Sequence, residues 1–236
     1  MSEHQPTLQR LRITYRKGEA LKYVGHLDFV RAWERSLRRA RVPLAYSESF
    51  NPQPRLQFAA ALPLGATGRA ELMDVWLTQP MEPTQFVALV QPHLPAGLEI
   101  VAVAEVPLKA KALQSLLRAG RWQVDVESDL NADALAGRVA DFLAATSVPA
   151  SRQRKGQAVA VDLRPLVLEL AYAGQPQPGW HRLLMTLASH EAATARPEQV
   201  LAVLGLQGAT ARAERLQCLF AEEVAPSSPA AAAAPA

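Results

Sequence analysis

The feature that most constrains the fold is the order in which hydrophobic periodicity changes along the chain. Residues 8–16 (LQRLRITYR) alternate, with Leu11, Ile13 and Tyr15 on one face, which predicts a half-buried strand. From Leu27 to Ala40 the apolar positions Leu27, Val30, Trp33, Leu37 and Ala40 are spaced for one helical face, and Pro43 ends the run. Segments 55–62 and 70–78 predict two strands around the GATG turn at 65–68. Pro83 to Leu94 predicts a second helix, shortened by Pro92, and 98–106 another strand. The order is β-α-β-β-α-β, the ferredoxin-like pattern.

A short helical stretch, 109–118, leads to a second copy. It predicts a strand at 121–127, a helix at 131–145, a basic hairpin at 151–158, strands at 166–172 and 181–187, a helix at 197–204 and a strand at 212–220. The segment Val159 to Pro165 reads equally as strand or helical turn. The expected fold class is α+β, two tandem ferredoxin-like units at 8–108 and 109–220. From 221 to 236 the Ala/Pro/Ser-rich chain offers little large apolar surface to offset ordering entropy, so a disordered tail is expected.

The apolar share of 49% in 236 residues supplies core material, and no stretch predicts a membrane span or a signal peptide. With Cys218 as the lone cysteine there is no internal disulfide and no thiolate cluster, which fits a reducing, cytoplasmic setting. His4, His26, His93, His181 and His190 are scattered, without metal-ligand spacing. Phosphate-loop and nucleophile-elbow motifs are missing, so no cofactor, metal or complete catalytic centre is expected. Cys218, beside Leu219 and Phe220, reads as an inert core thiol.

Charge is distributed unevenly. The whole chain carries +3, yet Arg16 to Arg41 holds eight basic and three acidic residues. Arg31, Arg35 and Arg38 follow at helical spacing, and Arg39 stands four after Arg35, so they line one face opposite the apolar stripe. Planar guanidinium forks suit phosphate oxygens. The competing reading is a solvated face, with Glu34 neutralised by Arg31 and Arg38. Arg152, Arg154 and Lys155 form a second basic point at the hairpin tip, which would share a groove with the first if the two units face each other. Lys22 and Arg55 would assist. His26, before the helix, suits a capping role or a hydrogen bond to phosphate. Phe50 is an aromatic that either stacks a base or packs its loop.

The run YVGHLDFVRAWERSLRRARVPLAYSESFNPQPRLQFAAALPLG (23–65), with GRAELMDVWLTQPMEP (68–83), resembles the uncharacterised radical-SAM-linked family. Its motifs are H-L-D, an E-R-x-L-R-R helix, Y-S-x-x-F-N-P-x-P and P-L-P-x-G, and Asp162 to Pro165 (DLRP) resembles its second half. Ser49 stands where the family often has glycine, and Gln53 where it often has histidine. The family occurs free-standing and as the C-terminal domain of cobalamin-binding radical-SAM proteins, near ribonuclease G/E-type proteins. The resemblance therefore implies a non-catalytic accessory protein that binds RNA or presents substrate to a radical-SAM partner. Two alternatives stand beside it. One is a protein–protein adaptor without nucleic-acid contact. The other is a metal-independent RNA-processing enzyme with His26 as general base, since tandem ferredoxin-like units are similar in fold to the CRISPR repeat-processing superfamily.

Overall fold

The computed structural model describes residues 6–154, 157–190 and 193–224, with the backbone alone for 152–154, 157, 158 and 193. The elements run β1 (Gln9–Lys17), α1 (His26–Arg39), β2 (Leu56–Phe58), β3 (Thr67–Leu77), α2 (Pro83–Val90), β4 (Leu98–Val106), α3 (Leu113–Leu116) and β5 (Leu117–Glu127). They continue with α4 (Ala132–Ala144), β6 (Pro149–Arg154), β7 (Gln157–Asp162), β8 (Val167–Tyr172), β9 (Trp180–His190), β10 (Ala193–Thr194), α5 (Pro197–Val203) and β11 (Ala211–Phe220). The fold is therefore mixed α+β, as expected. The tail from residue 225 lies outside the described residues.

Among the described residues one nine-stranded sheet runs β10-β9-β5-β11-β3-β1-β4, with β2 also on β3 and β8 also on β9; β6 and β7 pair apart from it. Within the first half the strand order is β4-β1-β3-β2, and within the second it is β11-β5-β9-β8. The halves are not separate sheets. They join where β11 lies parallel to β3, with Glu214 opposite Thr67 and Arg215 opposite Gly68.

Alternation decides what each face carries. Leu11, Ile13 and Met73 meet Phe29, Trp33 and Leu37 of α1 and Phe86 and Val90 of α2. In the second half Trp122, Val124, Leu183 and Met185 meet Leu135, Val139 and Phe142 of α4 and Val200 and Leu201 of α5. Arg215 pairs in register with Trp122 on one side and with Gly68 on the other, while Tyr15 pairs with Glu71. Both helical layers thus lie on the same face of the sheet. Segment 107–116 crosses the other face, where the buried Arg10 guanidinium donates to the carbonyls of Ala110 at 2.6 Å and Lys111 at 3.1 Å.

At the junction the side chains of Glu71 and Arg215 are buried to 1% and 3% exposure and form a two-pronged ion pair. Arg215 Nε donates to Glu71 Oε1 at 2.8 Å, and its Nη2 donates to the second carboxylate oxygen and to the Ala60 carbonyl at 3.1 Å. Burial works against the charge on Arg215, but the facing Glu71 carboxylate outweighs it and holds the guanidinium pKa above its ordinary value. Two glycines make the room. A Cβ on Gly68 would meet Glu71 Cγ at 2.5 Å, and one on Gly120 would meet both Arg215 Cδ and Trp122 Nε1 at 3.0 Å. Cys218 lies buried close by, and desolvation pushes its thiol up to about 12, away from nucleophilic use.

Several boundaries move from expectation for identifiable reasons. The strand expected over 55–62 stops at Phe58, because the Ala60 carbonyl is taken by Arg215 and Pro63 has no N–H. The expected turn at 65–68 ends earlier: Gly65 has φ of 85°, and Thr67 and Gly68 already belong to β3. The helix expected over 109–118 is one turn, 113–116, and β5 begins at Leu117. Val159 to Pro165 contains both alternatives, a strand to Asp162 and a 3-10 turn over Arg164–Leu166.

Removing one partner of a buried ion pair strands the other charge, which costs about 3–5 kcal/mol. Arg215→Met or Glu71→Met is expected to lower the unfolding free energy by about that amount in urea titrations. The Glu71→Met/Arg215→Met double variant should recover most of the loss, and additive losses would contradict the pairing.

Candidate nucleic-acid interface

Helix α1 starts after Gly25, whose extended backbone leaves the first turn to Asp28, and ends with Arg38 and Arg39, the charge order that favours the helix dipole. Its inward stripe is Phe29, Trp33, Ser36 and Leu37; its outward side carries the four arginines. Arg31 turns to Asp28 at 3.1 Å instead of Glu34, and Arg38 reaches Glu34 at 3.7 Å. Arg31 and Asp28 are both exposed, and Arg38 is exposed over a half-buried Glu34; surface pairs contribute about 0–1 kcal/mol, so a polyanion can compete for both guanidinium groups. Arg35 and Arg39 are exposed, and among the described residues neither has an ion pair or hydrogen bond. The next arginine, Arg41, holds a left-handed φ of 54° just past the helix end and is also exposed.

The other expected contributors are placed differently. Lys22 pairs with Glu19 at 2.7 Å, and its ammonium lies 5.2 Å from the ring centre of Tyr23. Arg55 stacks 5.0 Å over Trp76, whose ring also lies 4.6 Å from the Arg10 guanidinium, and donates to Thr7 Oγ1 at 3.2 Å. Arg152 and Arg154 stand on β6, where only the backbone is described, and Lys155 lies outside the described residues.

His26 is the first residue of α1, and its ring meets Phe58 edge-on at 5.6 Å. Partial burial, and then the charge of Lys17, lower its pKa below the ordinary value. At neutral pH the ring is therefore uncharged and adds no cation to the helix face. Lys17 itself is buried, donates to the Val24 carbonyl at 3.1 Å and lies 5.2 Å from the Phe29 ring centre.

The Y-S-x-x-F-N-P-x-P segment folds back on itself. Tyr46 bridges Pro54, Ser47 N donates to the Gln53 carbonyl at 2.9 Å, and Gln53 N donates to Ser47 Oγ at 3.1 Å. The braced loop leaves Phe50 fully exposed, which overturns packing within its own loop. The DLRP run is structural: Asp162 Oδ1 accepts from Val148 N at 2.8 Å and Arg164 N at 3.0 Å, and Leu163 is completely buried.

A second basic surface was not read from the sequence. Arg12 and Arg16 alternate with the core positions of β1 and so lie on the helix-free face of the sheet, Arg12 half-buried and bonded to Asp74 at 2.9 and 3.0 Å, Arg16 exposed. Arg121, Arg182 and Arg212 lie on the same face, on β5, β9 and β11. The signal is present in QRLRITYRK, where Arg10, Arg12 and Arg16 occupy the polar phase of the strand.

Among the described residues no cluster of three His, Cys, Asp or Glu side chains is suited to a metal ion, and no helix is long and apolar enough to cross a membrane. The fold and its surface define an α+β protein with guanidinium groups on an outward helix and on the helix-free face of the sheet beside segment 107–116. The chain belongs to the family described as uncharacterised proteins conserved in bacteria (DUF2344), whose model matches residues 10–197. No curated protein matches it.

Because the folded-state pKa of His26 is depressed, the unfolded chain binds its proton more tightly. Stability linked to the neutral ring is complete above about pH 6.5 and declines as pH falls from there toward the folded pKa. Between about pH 7.5 and pH 5 the urea midpoint of the wild-type chain should fall further than that of His26→Gln. Equal falls would remove the linkage.

Proposed function

We propose that this chain is a non-catalytic, cytoplasmic accessory protein that binds RNA through the outward arginines of α1 and serves a radical-SAM partner. The observation that carries the RNA reading is the state of Arg35 and Arg39, exposed on a rigid helix and without partners among the described residues. Arg31 and Arg38 extend the row, held only by surface ion pairs. A row of this kind supplies affinity and position on a sugar-phosphate backbone and little base discrimination. The radical-SAM partner rests on the resemblance of residues 23–83 to the radical-SAM-linked family.

In this reading each half is a ferredoxin-like unit, 8–108 and 109–220. The strand orders β4-β1-β3-β2 and β11-β5-β9-β8 support it, each unit placing its fourth strand beside its first. The hairpin β6–β7 is then an insertion in the second unit.

A protein adaptor is the second reading, and Phe50 favours it. An aromatic side chain held fully exposed by a braced loop is an anchor of the kind that fills a partner's pocket.

Binding of single-stranded RNA, measured by fluorescence anisotropy across a salt series, should weaken steeply with salt. Replacing Arg35 and Arg39 by Gln should weaken it at low salt and flatten the log–log salt slope by about 0.7 for each lost phosphate contact. Phe50→Ala should leave the slope unchanged. RNA binding that ignores salt, or none at low salt, rejects the RNA reading; partner capture lost on Phe50→Ala alone establishes the adaptor.

A further inference from the structure

A cleft of about 180 Å³ opens where the two halves meet, between the end of β1, the start of β3 and the facing stretches of β5 and β11. Arg16, Lys22 and Thr67 reach it from the first half, and Gln123 and Arg212 from the second. Three carboxylates also line it, and each is already held by a cation. Glu19 takes Lys22 at 2.7 Å, Glu214 takes Arg69 at 2.6 Å, and Asp125 takes Arg182 through two bonds of 2.7 and 2.8 Å.

Arg16 and Arg212 stand opposite Glu99 and Asp125 in the strand ladder, yet neither closes an ion pair on its neighbour. Both are exposed, and neither has an ion pair or hydrogen bond among the described residues. Arg212 lies 4.4 Å over the Trp180 ring. Stacking of this kind fixes the guanidinium plane and leaves its N–H edge for in-plane acceptors. The lining itself holds three cations (Arg16, Lys22 and Arg212) and three carboxylates (Glu19, Asp125 and Glu214); Arg69 and Arg182 hold two of those carboxylates from outside it, and Glu99 on β4 stands opposite Arg16, so the wider group is five cations and four carboxylates.

The cations of the two halves also sense one another. Lys22 has its pKa raised, chiefly by its hydrogen bond with Glu19, while Arg212 acts in the opposite direction. Like charges are thus held across a cleft whose acids are spoken for, an arrangement that an anion completes and a metal ion does not.

We infer that this cleft binds a phosphate group, gripped by the guanidinium forks of Arg16 and Arg212 with Lys22 at its rim. Thr67 and Gln123 supply neutral donors beside them. Size sets the chemistry: pockets that enclose drug-sized ligands run about 300–1,000 Å³, so this one takes a phosphate and leaves the remainder of its ligand outside. The site is built from both halves and stands on its own charges, independently of α1.

The test is calorimetric titration of the full chain with inorganic phosphate at low salt. Arg16→Gln and Arg212→Gln should each weaken binding about tenfold or more, the scale of a lost charge-assisted hydrogen bond. Arg121→Gln, on the same sheet face but outside the cleft, and the Arg35/Arg39 pair of substitutions should leave it within about twofold. Thermal melts of each variant separate loss of the site from loss of the fold. A second arm adds a short single-stranded RNA without a terminal phosphate. Competition with phosphate identifies a polynucleotide phosphodiester as the source, and no competition identifies a free phosphate or phosphate ester; either supports the site. Failure of the wild-type chain to bind phosphate, or binding indifferent to both Arg16→Gln and Arg212→Gln, overturns it. RNA binding abolished by the α1 substitutions with phosphate binding intact separates this inference from the reading of the helix.

Discussion

The pair formed by Glu71 and Arg215 sits where the two halves of the molecule become one sheet. A buried ion pair is weak evidence for net stability, since desolvating both charges offsets much of their attraction. Its larger effect is on specificity. A carboxylate buried in β3 requires a cation, and Arg215 is delivered by a strand 144 residues away in the chain. Few alternative registers of β11 satisfy that requirement. Gly68 and Gly120, the Ala60 carbonyl and the early end of β2 all follow from fitting the guanidinium into the junction.

Joining the halves in this way also decides what the surface presents. With both helical layers on one face, the other face is left to segment 107–116 and to the polar phase of the strands, which is rich in arginine. The row on α1 and the cations at the seam therefore belong to different surfaces. One is a flat, displaceable array suited to a long polyanion. The other is a confined cluster suited to one small anion.

Much of the fold was legible, because long periodic segments report themselves. Leu11, Ile13 and Tyr15, Trp33 and Leu37 on α1, and Leu135, Val139 and Phe142 on α4 are core positions that periodicity alone identifies, while Leu27, read onto the same stripe of α1, is exposed. What could not be read is whatever depends on contacts between distant residues. β2 looks like a longer strand until Arg215 claims the Ala60 carbonyl, and the turn around 65–68 looks complete until β11 arrives to pair with Thr67 and Gly68. The arginine row on α1 was visible from spacing, whereas the choice of Arg31 for Asp28 over Glu34 depends on rotamers. The seam cleft was invisible: Arg16 and Arg212 stand 196 positions apart, and only the register of β11 brings them together.

The position of β11 in the middle of the sheet bears on how the chain is made. Among the described residues β11 is the last strand in sequence, yet β3, whose edge it covers, is among the first. While the ribosome is still producing the second half, the leading stretch of β3 has unpaired backbone on that side and Glu71 has no guanidinium to meet. Exposed strand edges of this kind recruit foreign strands. A product that stops short of Ala211 is therefore an open-edged species, and the final ten-residue strand acts as the closure that makes the sheet safe in a crowded cell.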